Sequence, residues 1–155
     1  MMTTTLRTTA DELGRKEAGR RTRTRLVRAQ LALLGVDVLG GLLAVATGVN
    51  TWSEAWGPEA LLAAPLPMMV GQTVLVLLAV STRRRWGAIP AGLLALACFV
   101  SIASGFFDGG LGNARLTGWL TAYQLLLLGV TGAVGVLATL RARDLVRRPA
   151  VSRER

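Results

Sequence analysis

The sequence predicts an all-α integral membrane protein, a bundle of four transmembrane helices with both termini in the cytoplasm. Three observations predict it. Of the 155 residues 52% are hydrophobic and the mean hydropathy is +0.47, too apolar for a soluble domain of this length. Four apolar runs, about 29–49, 60–82, 86–107 and 116–140, are each long enough at about 1.5 Å per residue to cross a hydrocarbon core of roughly 30 Å. The basic residues lie almost entirely outside those runs.

Taken in order, residues 1–28 form a basic tail. Thr9-Ala10-Asp11-Glu12 has the S/T-x-x-E form of a capping box, so a short basic helix is expected to start there and lie along the membrane, with partial disorder as the alternative. The first run, 29–49, holds a single acid, Asp37. Ala44-Val45-Ala46 has the form of a leader-cleavage site, but the long polar arm and the internal acid favour a retained span. The second run contains Pro65 and Pro67. Its helix either begins near Ala60 and kinks, or becomes regular only at Pro65, where proline is tolerated in the first turn. Pro90 marks the start of the third run, and the fourth is rich in glycine. Residues 141–155 form a second basic tail, so the membrane domain is 29–140.

Orientation follows from the positive-inside rule. Eight basic residues precede the first run (Arg7, Arg15, Lys16, Arg20, Arg21, Arg23, Arg25, Arg28), Arg83, Arg84 and Arg85 fill the second turn, and Arg141, Arg143, Arg147, Arg148, Arg153 and Arg155 follow the fourth. Only Arg115 falls on the other side. Trp52, Trp56, Trp119 and Tyr123 map to the outer interface and Trp86 to the inner one, as the amphipathic rings prefer. A multi-pass protein of the cytoplasmic (inner) membrane is the expected location. Arginine outnumbering lysine 17 to 1 beside abundant Ala, Gly and Val points to a GC-rich bacterial genome.

Composition narrows the chemistry. The chain has no His and one cysteine, Cys98, so a zinc site, a Ser-His pair and an internal disulfide are excluded. No GxxxxGK motif occurs, and no cofactor, metal or catalytic group is expected. The basic tails contain no aromatic residue, which argues against nucleic acid and for anionic lipid headgroups as their partner. Gly109-Gly110-Leu111-Gly112-Asn113 reads as a tight turn.

Helix contacts in lipid depend on small residues that let backbones approach. Gly40, Ala44 and Gly48 are spaced by four on the first helix, and Gly129, Gly132 and Gly135 by three on the fourth. These are the expected packing ridges, within the bundle or in a homo-oligomer or larger membrane complex. The polar residues inside the runs form the candidate site: Asp37, Gln72, Ser101, Tyr123 and Gln124. A carboxylate at the middle of a span is costly when charged, so Asp37 is expected to face the bundle interior as a protonated or proton-exchanging group.

Four short spans with one acid in the first and a glycine-rich fourth are similar in plan to the small multidrug resistance transporters. That resemblance implies that Asp37 is the counterpart of their proton-exchanging acid, which is a glutamate there, and that Gly129, Gly132 and Gly135 form a dimer contact. The one-sided basic charge sets this chain apart from the dual-topology members. Two functions are therefore expected to compete. The first is a non-enzymatic membrane protein of accessory or assembly role, and the alternative is a small proton-coupled transporter or exporter using Asp37.

Overall fold

The computed structural model describes residues 2–82, 85–107, 116 and 118–147. Arg83, Arg84, the 109–113 glycine turn, Arg115, Arg148, Arg153 and Arg155 lie outside the described residues. Four long helices account for most of the rest: α1 Met2–Ala46, α2 Leu66–Ser81, α3 Ala88–Phe107 and α4 Trp119–Val146, with a single 3-10 turn at Arg85–Gly87 before α3. No strand occurs among the described residues. The protein is all-helical, and α1 (from Gly19), α3 and α4 are each long and apolar enough to cross a membrane.

The surface pattern is that of a membrane bundle. Leu31, Leu39, Val70, Leu77, Leu96, Val100 and Leu126 are each at least half exposed, while Gln30, Asp37, Gln72, Gln124 and Thr131 are buried. Apolar outside and polar inside is the arrangement that lipid stabilises, because hydrocarbon offers nothing to a polar group and everything to a leucine.

The helices form a four-cornered ring in which α4 packs on α3 and α1, α3 packs on α2, and the α1/α2 edge is the lightest. Two apolar clusters divide the interior along its length. Leu26, Leu33, Val76, Val80, Leu94, Cys98, Val134 and Ala138 form one. Ala44, Val49, Ala55, Leu62, Leu116 and Leu120 form the other, with Trp56 and Tyr123 against it. Asp37 lies on α1 between them.

Three elements differ from the sequence reading. First, α1 is one helix of 45 residues rather than a tail followed by a span, and Thr9 lies inside it. No proline interrupts residues 2–46, and Glu17 and Arg21, 3.9 Å apart, form an i,i+4 pair on the polar part. Second, residues 60–65 are not helical. Pro65 and Pro67 withhold two N–H groups, so α2 starts at Leu66 with Pro65 as its N-cap residue, leaving 16 residues and about 24 Å of helix. Third, α4 continues past residue 140 to Val146, which places Arg141 and Arg143 on the helix instead of in a tail.

The connection 47–65 is built, not slack. α1 ends in a Schellman motif: Gly48 N–H donates to Val45 O at 3.1 Å and Val49 N–H to Ala44 O at 2.9 Å, with Gly48 at φ +71°. The chain then folds back along the bundle. Buried Asn50 brackets its far part, its Nδ2 donating to Glu59 O at 3.1 Å and its Oδ1 accepting Leu61 N–H at 3.3 Å. Leu66 N–H donates to Trp56 O at 3.1 Å. Non-helical backbone inside a bundle needs partners from the protein, and here Leu61, Ala64 and Leu66 donate to Asn50, Asp37 and Trp56.

Candidate functional site

Residues 58–65 descend between α1 and α2 and leave a cleft of about 620 Å³ beside them. Its deep wall carries Asp37 from α1, Gln72 from α2, Ser101 from α3, and Gln124 and Thr131 from α4. Pro58, Glu59 and Ser104 are exposed and form its rim. Each helix contributes because its polar residue falls on the inward face of an otherwise apolar run, where the ring of four helices makes those faces converge.

Asp37 is fully buried, and its two oxygens have different surroundings. Oδ1 accepts the backbone N–H of Ala64 at 2.8 Å, just ahead of α2. Oδ2 has no hydrogen-bond partner. Gln72 and Gln124, 4% and 6% exposed, likewise each keep a buried Oε1 without a partner. Ser101 Oγ donates to Met68 Sδ at 3.6 Å, linking α3 to α2 at the cleft wall. Thr131 donates its hydroxyl back to Leu127 O at 2.9 Å.

Of the five candidate polar residues, the cleft brings together Asp37, Gln72, Ser101 and Gln124. Tyr123 is placed elsewhere: its hydroxyl donates to Val36 O, tying α4 to α1 next to Asp37 without lining the cleft. Among the described residues no group of three His, Cys, Asp or Glu side chains is arranged to hold a metal ion.

The glycines divide by environment. A Cβ on Gly40 would sit 1.8 Å from Leu62 O, so this glycine admits the backbone of the descending segment rather than another spanning helix. Gly41 similarly admits the Trp56 ring, which a Cβ would approach to 2.6 Å. Ala44 is buried in the cluster with Leu62 and Leu120, whereas Gly48 lies beyond the end of α1 and serves its termination. On α4, Gly135 faces Cys98 and Phe99 of α3 and Gly132 faces Ile102 at an ordinary distance, while Gly129 faces open space.

Sequence reasoning passed over Asn50, Glu59 and Arg141. Arg141 is 2% exposed, and its guanidinium donates to Ala79 O at 3.3 Å and Thr82 O at 3.4 Å, the last carbonyls of α2. A cation at a helix C-terminus satisfies carbonyls that have no partner of their own and meets the negative end of the dipole. Counted only as tail charge, Arg141 carried no signal of this. Asn50, by contrast, was visible as the first polar residue after an apolar run.

Comparison with known proteins finds no matching family model, no matching curated protein and no matching solved structure. The similarity of plan to the small multidrug resistance transporters therefore rests on the sequence alone: four apolar runs, one acid in the first and a glycine-rich fourth.

Proposed function

We propose that the chain is a multi-pass, non-enzymatic protein of the bacterial cytoplasmic membrane that binds a small ligand in the Asp37 cleft in exchange for a proton, acting as a small proton-coupled transporter or exporter. The observation that carries this reading is the divided environment of Asp37. One oxygen is held by Ala64, which fixes the carboxyl in place; the other is buried without a protein partner, in a residue that lines a cleft of ligand size. A buried carboxyl so held is neutral when protonated and receptive to a cation when ionised, and only one of those states suits an empty apolar surrounding.

Four passes with both termini inside follow from the distribution of basic charge. The short α2, of 16 residues, makes its crossing together with the non-helical residues 60–65 ahead of it. The basic residues of α1 and α4 would then rest against anionic headgroups.

Dicyclohexylcarbodiimide, which modifies protonated carboxyls in apolar surroundings, tests the reading. Labelling of Asp37 near neutral pH, lost in Asp37→Asn while the fold persists, supports it. Failure of Asp37 to label, with ready modification by a polar reagent for exposed carboxylates, rejects it. An assembly role is the second reading. It is favoured by Gly92 and Gly129, helical glycines with open space beside them, where the backbone of another chain has room to approach.

A further inference from the structure

Away from the cleft, the lightly packed α1/α2 edge carries a furrow of about 260 Å³, lined by Leu34 of α1 and by Leu66, Met69, Val70, Thr73 and Val74 of α2. Leu66, Val70 and Val74 are exposed, so the furrow faces out of the bundle. Its one hydroxyl, on Thr73, donates to Met69 O at 2.8 Å and asks nothing of an occupant. An apolar furrow left empty forfeits the dispersion contacts of its walls. A further helix is a poor filling, because helices approach one another in lipid at small residues and this lining is leucine, methionine and valine with one threonine. An acyl chain is thin and flexible and has no such requirement.

Along α1 the furrow leads to charge. Arg20, Arg23, Val27, Leu31 and Leu34 follow one another at spacings of three or four, so they share one side of a single unbroken helix. α2 runs the other way and stops at Ser81, close to the level of Leu26, since Val80 and Leu26 belong to one cluster. Arg23 and Arg20, roughly one and two turns beyond that level, are exposed. Arg21 pairs with Glu17 at 3.9 Å, whereas Arg20 and Arg23 form no ion pair among the described residues. On an α-helix Leu34 lies about 16 Å from Arg23 and about 21 Å from Arg20, which matches one leaflet of a hydrocarbon core roughly 30 Å thick. A phosphate held by these two arginines therefore puts the far part of its own acyl chain level with the furrow. Two guanidinium forks beside each other suit a phosphodiester, which accepts hydrogen bonds from both.

We propose that the α1/α2 furrow is a binding site for one anionic phospholipid, with an acyl chain against Leu34, Val70 and Val74 and the phosphate on Arg20 and Arg23. The inference rests on residence in a membrane with the basic part of α1 at the headgroups. It uses neither Asp37 nor the cleft, so its failure leaves the reading of that acid untouched.

The test uses the full chain in nanodiscs of equal parts palmitoyl-oleoyl phosphatidylglycerol and phosphatidylcholine, released in a native mass spectrometer so that retained lipids are counted. The expected result is one phosphatidylglycerol per chain. Arg20→Gln with Arg23→Gln should lower the ratio of retained phosphatidylglycerol to phosphatidylcholine at least about fivefold, as loss of basic residues at the surface implies. Arg25→Gln with Arg28→Gln removes the same charge from other, equally exposed sides of α1 and should change the ratio less than about twofold. Val70→Trp fills the furrow and should reduce retention of both lipids, while Leu96→Trp, at an exposed position on α3, should not. Equal losses in the two arginine pairs overturn the inference in favour of diffuse attraction between basic charge and the membrane. Phosphatidylcholine retained as well as phosphatidylglycerol overturns the headgroup contact, and full retention in a folded Val70→Trp overturns the furrow. A dimer that Val70→Trp dissociates, with no lipid retained, overturns the lipid in favour of a second copy of the chain. The arginine pairs, all at exposed positions, decide the matter if Val70→Trp does not fold.

Discussion

The Oδ1 of Asp37 accepts the backbone N–H of Ala64 at 2.8 Å, joining the C-terminal part of α1 to the non-helical segment ahead of α2. Asparagine retains a side-chain oxygen for this bond; leucine does not. Asp37→Asn should therefore keep the unfolding midpoint in detergent close to that of the wild type. Asp37→Leu should lower stability by about 1–3 kcal/mol, the cost of a buried N–H left unpaired. Equal losses in the two variants would show that the bond does not hold the segment.

Among the described glycines, Gly40 has the least room for a Cβ. Because a Cβ would lie 1.8 Å from Leu62 O, Gly40→Ala must displace residues 60–65, and we expect a loss of about 1–3 kcal/mol or more. Gly129→Ala meets nothing and should stay within about 0.5 kcal/mol of the wild type in a monomer. Gly132→Leu presses on Ile102 and should fall between them. Thermal or detergent unfolding of the three proteins in parallel checks the order; a larger loss for Gly129→Ala than for Gly40→Ala would place the main contact on α4.

Arg141 is expected to be a structural residue despite its position in the basic part of the chain. Arg141→Met removes hydrogen bonds to Ala79 O and Thr82 O and should cost about 2–3 kcal/mol, as bonds from a charged donor do. Lysine should recover only part of this, since one ammonium lacks the planar fork that reaches both carbonyls. Exposed Arg143, replaced in the same way, serves as the control and should change stability little.

Gln30 is 3% exposed, and both ends of its amide lack a hydrogen-bond partner between Leu26 and Leu33 of the apolar cluster that also holds Val134 and Ala138. Gln30→Leu should raise stability by about 1–2 kcal/mol by removing a polar group that is buried without reward. A drop in the unfolding midpoint would show that the amide is bonded in the membrane.

Topology is open to a reporter active only outside the cytoplasm. Fused after Arg155 it should stay silent, and inserted near Gly110 it should be active. The reverse pattern would overturn the orientation drawn from the basic residues.

What the sequence by itself determined are the properties that depend on local composition: an all-helical chain, apolar runs long enough to span, Pro90 at a helix start, and the choice of polar residues within those runs. Asp37, Gln72, Ser101 and Gln124 stood out because a strongly polar side chain in such a run is costly against lipid, and four inward faces converge in a ring of four helices. Tertiary structure alone decided the rest, since each remaining feature depends on a partner distant in the chain. Residues 60–65 are apolar enough for a helix, yet the two prolines interrupt one, and Asn50 and Asp37 accept the N–H groups of Leu61 and Ala64 in the non-helical form. Gly40 and Gly48 share one spacing, but Leu62 presses on the first while the second turns the chain out of α1. Arg141 belongs by sequence to a solvated tail; it is buried because α2 is short and ends beside it with carbonyls to be met.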